Sequence, residues 1–92
     1  MKMLLFAVHD SKAGYYSNPQ MYRSLGEASR AFEANCRDKT TVYNQFPADF
    51  TLVQIGEYDL VTGTLFPCPL SIVHNASEFQ TQFVSRQLEN GN

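Results

Sequence analysis

Tyr58-Asp59-Leu60-Val61-Thr62-Gly63-Thr64-Leu65-Phe66 decides the fold. Strand-forming residues flank its centre, with Leu52, Val53, Ile55 and Tyr58 before it and Leu65 and Phe66 after. Between them stand Asp59 and Thr62-Gly63, which are turn residues. A carboxylate at 59 can accept from backbone amides ahead of it, and a glycine at 63 supplies the positive φ that tight reversals use. The stretch predicts a β-hairpin. Its first arm is expected over about 50–58, with Gly56 marking a bulge or a close backbone approach. Its second arm starts at Thr64 and is expected to stop by Pro67-Cys68-Pro69, because proline cannot donate to a central ladder.

Upstream, Ser24-Leu25-Gly26-Glu27 has the spacing of a capping box. The Ser24 hydroxyl can accept from the Glu27 amide, and the Glu27 side chain can reach back to the Ser24 amide. A helix is expected from about Leu25 to Arg37. Leu25, Ala28, Ala31, Phe32 and Cys36 repeat at helical period, with Asn35 a polar intruder in that stripe. Glu33 and Arg37 stand four apart in the favoured order, a pair contributing roughly 0.3–0.5 kcal/mol. Met3–Val8 is the longest apolar run and reads as a first strand. Residues 10–22 read as a long loop or loosely extended segment held out of helix by Pro19. Val42-Tyr43 fits either an added helical turn or a short contact strand. Leu70–Ala76 reads as one short packed element, and 79–84 as a frayed helix. The expected architecture is α+β: a small, mostly antiparallel β-α-β-β sheet with one packed helix. Residues 1–76 form the domain, and 77–92 a tail that is partly helical or disordered.

A chain of 92 residues makes one domain, burying roughly 60–65% of its unfolded surface. Seven Phe and five Tyr carry much of that core. Met3–Val8 is far shorter than the ~20 residues a membrane helix needs, so no membrane partner is expected. It is also too short for a signal-peptide core. Two cysteines outside any C-x-x-C motif suit reduced, largely buried thiols in a cytosolic protein. Net charge is −2, unevenly spread. Residues 1–45 hold six cations against four acids, and residues 46–92 hold one against five. The basic half hints at a polar binding face, although strong nonspecific nucleic-acid binders are usually basic overall.

Enzyme signatures are absent: no phosphate-binding glycine loop, no G-x-S-x-G and no H-E-x-x-H. No catalytic residue, metal set or cofactor is expected. Cys36 and His74 could form a nucleophile pair only by chance of folding; a core thiol and an exposed imidazole are the simpler reading. His9, Asp10, His74 and Cys68 lack metal-ligand spacing apart from the adjacent His9-Asp10. Glu57 and Asp59 share a strand face, which suits a solvated edge guarded by charge. Tyr15, Tyr16 and Tyr22 lie among Lys12 and Arg23, a mixture that suits single-stranded DNA: bases stack on rings while cations follow phosphates. The competing reading has the tyrosines covering the core rim with their hydroxyls in water. Arg30 and Arg37 lie on one helix face about 10.5 Å apart in rise, within reach of successive phosphates, although a solvated face serves equally.

Four segments together resemble a known family. They are His9-Asp10-Ser11-Lys12-Ala13-Gly14-Tyr15-Tyr16-Ser17-Asn18-Pro19, Gly26–Phe32, Phe46–Asp59 and Thr62-Gly63-Thr64-Leu65. The first resembles a D-x-K-A-x-x-Y-x-x-P opening. The third is similar to h-P-x-D-[YF]-x-L-x-x-[IL]-G-x-[FY]-D. The pattern resembles the small nonstructural, DNA-associated protein of gokushovirus-type Microviridae, the small single-stranded DNA phages, over about residues 3–76. Asn35-Cys36 departs from it where a more apolar helix end is expected. The resemblance implies a nonenzymatic protein of the host bacterial cytoplasm. It would assist the switch from duplex replication to single-strand synthesis and packaging. The expected DNA-binding residues are Lys12, Arg23, Arg30, Arg37 and Lys39 for phosphates, with Tyr15 and Tyr16 for stacking. The alternative is an adaptor that recruits the replication initiator or the procapsid with little DNA contact. Because one helix covers one sheet face, the apolar second parity of Met3–Val8 predicts a homo-oligomer, or else cover by Phe79, Phe83 and Val84.

Overall fold

The computed structural model describes residues 1–79. Five strands form one antiparallel sheet, and the helices pack on one of its faces. The strands are β1 (Lys2–Asp10), β2 (Tyr15–Tyr16), β3 (Gln20–Tyr22), β4 (Phe50–Asp59) and β5 (Leu65–Asn75). The order is β2-β1-β4-β5, with β3 on the same side of β1 as β2. The helices are α1 (Leu25–Arg37) and α2 (Val42–Gln45), and a 3-10 turn covers Pro47–Asp49. The fold is α+β, as the sequence predicts.

The hairpin forms for the reasons its residues suggest. Asp59 Oδ1 accepts from the Val61 amide at 2.9 Å, and the Asp59 carbonyl from the Gly63 amide at 2.8 Å. Gly63 adopts φ 71°. At Gly56 an added Cβ would lie 2.6 Å from the Phe66 carbonyl oxygen. The second arm does not stop at the prolines: β5 runs on to Asn75 as the sheet's outer strand. Gln54 faces Ser71 and Gly56 faces Pro67, so Cys68, Pro69 and Leu70 bulge opposite Ile55 alone. An edge and a bulge are the two places where a strand tolerates a missing N–H.

Residues 15–22 are more ordered than the sequence suggests. Both β2 and β3 pair with β1, through His9 with Tyr16 and Leu5 with Met21. Between them, Ser17 keeps the strand attached: its amide donates to the Val8 carbonyl at 2.8 Å, and its hydroxyl accepts from the Val8 amide at 2.9 Å.

Helix α1 has the predicted bounds and a Ser24 cap, whose Oγ accepts from the Glu27 amide at 3.1 Å. Such caps contribute about 1 kcal/mol. The return half of the box differs from expectation: Glu27 accepts from the Arg23 amide at 3.1 Å, one residue before the cap. Ala28, Phe32 and Cys36 are buried against the sheet, whereas Leu25 is exposed at the helix start. Val42-Tyr43 resolves as the first turn of α2, capped by Thr41.

The core gathers Phe6, Ala28, Phe32, Cys36, Phe50, Leu52, Ala76 and Phe79, with Leu4, Val8, Tyr22, Tyr43 and Val73 packed around it. Phe79 thus packs on the helix side of the sheet, against Phe32 and His74. It does not cover the opposite face; Phe83 and Val84 lie outside the described residues. Its position is fixed by a capping box at the start of the last turn. The Ser77 amide donates to Asn75 Oδ1 at 3.0 Å, and Glu78 Oε2 accepts from the Asn75 amide at 2.9 Å. Both cysteines are free, Cys36 buried and Cys68 half-buried. Burial and the neighbouring Glu33 push the Cys36 thiol up to about 11.

Strand alternation puts Leu4, Phe6 and Val8 under the helix and Met3, Leu5 and Ala7 on the opposite face. No helix among the described residues packs on that second face.

Candidate functional site

Strand β1 turns at Ser11–Gly14, returns as β2 and β3, and passes into α1. Past Ser17, Asn18-Pro19 interrupts this return, and pairing with β1 resumes at Gln20. Proline at 19 has no amide to donate there. The interruption opens a groove between the sheet edge and α1. Its volume is about 240 Å³. Phe6, Phe32 and Leu52 form an apolar floor, Tyr22 and Tyr43 line the sides, and Asn18, Gln20 and Asn35 add amides. A second hollow of about 120 Å³ continues it past Val8, Ser17 and Tyr43 to Tyr15 and Phe50.

Two aromatic pairs frame the groove. Phe6 meets Tyr22 edge-on at 5.9 Å on the strand side, and Phe32 meets Tyr43 at 5.8 Å on the helix side. The Tyr22 hydroxyl donates to Gln20 Oε1 at 3.0 Å, which fixes both side chains. Burial pushes the Tyr43 phenol above its ordinary range, so it stays neutral and able to donate. Asn44 Nδ2 donates to the Cys36 carbonyl at 2.9 Å and ties α2, with Tyr43, to the end of α1. The side-chain amides of Asn18 and Asn35 make no hydrogen bond among the described residues.

The seven residues expected to bind DNA divide into two sets. Lys12 stands in the β1–β2 turn, beside the Tyr15 end of the hollow. Arg23 directly follows Tyr22, which lines the groove. Lys39 lies in the turn linking α1 to α2, the helix that carries Tyr43. Tyr15 lines the hollow. Of these four, only Tyr15 is among the residues lining the hollow, and the three cations adjoin it and the groove through their neighbours in the chain. The other three lie elsewhere. Adjacent strand residues point to opposite faces, so Tyr16 lies on the far side of the sheet, with its ring 4.6 Å from His9. Arg30 is two residues from both Ala28 and Phe32 and points away from the sheet. Arg37 is bound to Glu33 at 2.8 Å and lies 5.9 Å from the Phe79 ring, on the β5 side.

The acids of the basic half bond to backbone amides or to the outer helix face. Asp10 accepts from the Lys12 and Ala13 amides at 3.0 and 3.2 Å, and Glu27 from the Arg23 amide. Asp38 accepts from the side chain and amide of Thr40, which hold its carboxyl below the usual range. Lys12, Arg23, Arg30 and Lys39 have no carboxylate within ion-pair distance among the described residues. By contrast, Lys2 pairs with Glu57 at 3.8 Å near the hairpin end.

Asn18, Gln20, Asn35 and Tyr43 are absent from the expected set. Asn35 was the readable signal, since a polar residue inside an apolar stripe marks a break in the buried surface. The other three depend on which elements meet across the groove. Among the described residues, no three His, Cys, Asp or Glu side chains group as metal ligands.

No curated protein and no solved structure matches the chain. A family model described as phage ORF5 protein matches residues 3–79, which covers every strand and helix described above apart from Lys2 at the start of β1 and ends at the core residue Phe79. The chain belongs to the phage ORF5 protein family.

Proposed function

We propose that this phage protein is a nonenzymatic single-stranded DNA-binding protein of a gokushovirus-type microvirus. It acts in the host cytoplasm at the switch from duplex replication to single-strand genome synthesis and packaging. The observation that carries the reading is the groove itself: half-buried Tyr22 and Tyr43 line it and exposed Tyr15 lines the adjoining hollow, with Lys12, Arg23 and Lys39 near these residues in the chain and, among the described residues, free of carboxylate partners. Rings that offer stacking and cations that follow phosphates are the two requirements of single-strand binding. Family membership supports the phage setting.

Titrating labelled single- and double-stranded oligonucleotides at two salt concentrations tests it. Expected is single-strand binding that weakens with salt, with a log–log slope near −0.7 per phosphate neutralised. No binding at low salt overturns the reading. A second reading, the protein–protein adaptor, then takes its place. It is favoured by the sheet face on which no helix among the described residues packs, where Ile72 is 76% and Met21 46% exposed.

A further inference from the structure

We infer that the groove between the β2–β3 edge and α1 is a nucleobase pocket. It would take one unpaired base out of a bound strand and read its edge through Asn18 and Asn35. This rests on the single-strand reading above and adds where a base goes and why base identity matters.

Shape comes first. An apolar cavity of about 150 Å³ suffices to admit benzene. The groove holds about 240 Å³ and is framed by the Phe6–Tyr22 and Phe32–Tyr43 pairs. Phe6 and Phe32 are buried, so a flat heterocycle in such a space would stack on or meet edge-on the half-buried rings of Tyr22 and Tyr43.

Polarity comes second. The rim is polar: the exposed side-chain amides of Asn18 and Asn35 have no hydrogen-bond partner among the described residues. Asn18 and Asn35 approach from opposite walls, one from the interrupted edge strand and one from α1. Each amide offers both a donor and an acceptor. The edge of an unpaired base presents the same mixture, which is why extruded bases are recognised by polar groups at their edges and aromatic groups at their faces. Asn35 is exposed beside the buried stripe of Ala28, Phe32 and Cys36 and lines the groove.

Charge comes third. Arg23 directly follows the groove residue Tyr22, and Lys12 precedes Tyr15 of the adjoining hollow by three residues, so each of these tyrosines has a cation near it in the chain. A duplex cannot supply an unpaired base without breaking a pair.

The test is fluorescence anisotropy of labelled 12-nucleotide dT, dC and dA strands with the full chain and its Asn35→Leu and Asn18→Ala variants. Leucine is the better helix former, so Asn35→Leu preserves α1. Thermal melting checks that both variants fold. Expected is a difference of about tenfold between the best and worst homopolymer, reduced to near equality in either variant. Lys12→Ala should instead weaken all three strands alike and lower the salt slope. Equal binding of all three strands by the natural chain, unchanged in both variants, overturns the pocket and leaves single-strand binding standing. Failure of the natural chain to bind any strand overturns both.

Discussion

Gly56 shows how one residue sets the geometry of the sheet. It faces Leu5 on β1 and Pro67 on β5, beside the bulges on both sides of β4. Its missing side chain lets the Phe66 backbone approach, and an alanine Cβ would sit 2.6 Å from the Phe66 carbonyl oxygen and 3.3 Å from the Pro67 Cα. Both neighbours are backbone, so the strands themselves must move. Gly56→Ala should destabilise the protein by about 1–3 kcal/mol, read by chemical denaturation. A variant as stable as the natural chain would show that the two strands separate freely at this point. Two other residues illustrate what a sequence conveys and what it hides. Asn35 was legible as an anomaly in an apolar stripe, without a hint of what it faces. Tyr15 and Tyr16 read as one aromatic platform, yet strand alternation sends them to opposite faces. Their parity could be assigned only once residues 15–16 were known to be a strand and not a loop.

Among the elements, the hairpin and α1 were legible because their signals are local. A turn carboxylate, a glycine and a serine cap act within four residues of themselves. The length of β5 was not legible. Pro67 and Pro69 forbid a central strand, and only the sheet order reveals that β5 is an edge. For β2 and β3 the pairing depends on β1, which lies nine or more residues away for Ser17 and Val8. The groove was hidden for the same reason, since it exists only where that edge fails to close against α1. The hairpin carries a pH dependence of its own. The Asp59 carboxyl lies below its ordinary range, chiefly through the Val61 amide, with the Thr62 amide and the N-terminal ammonium at 3.6 Å also contributing. A lowered folded value means stability that is present above the ordinary carboxylate range and lost as pH falls through the folded one. Asp59→Asn keeps a turn-forming side chain but cannot titrate. The natural chain should therefore lose more stability than Asp59→Asn as pH falls from about 5 to about 2. Parallel acid profiles in thermal melts would show that the turn carboxylate gives no net stabilisation.

At the scale of the whole molecule, the two sheet faces have different fates. Helix α1 and Phe79 close one. The other carries Met3, Leu5, Met21, Val53, Leu65 and Ile72 across four strands; Leu65, Met21 and Ile72 are exposed, while Ala7 and Val53 on it are buried. Soluble monomers rarely keep several large apolar side chains exposed on one face. A homodimer formed through it would leave the groove on the outer side of each copy, so that one particle offers two grooves to a strand. Light scattering at micromolar concentration should give a dimer mass that falls on dilution, and Ile72→Lys should shift it to monomer. A monomer mass at every concentration would show that the face is not used between copies.

The central claim is that single-stranded DNA lies in the helix-side groove. Backbone amide NMR shifts on adding a short oligothymidine measure this most directly, because each residue reports for itself. The expected result is perturbation concentrated at Lys12, Ser17, Asn18, Gln20, Tyr22, Arg23, Asn35 and Tyr43, with Ile72 and the hairpin turn at Leu60–Thr62 unchanged. Perturbation confined to the opposite face, at Tyr16, Met21 and Ile72, or a spectrum that does not change at low salt, would contradict it.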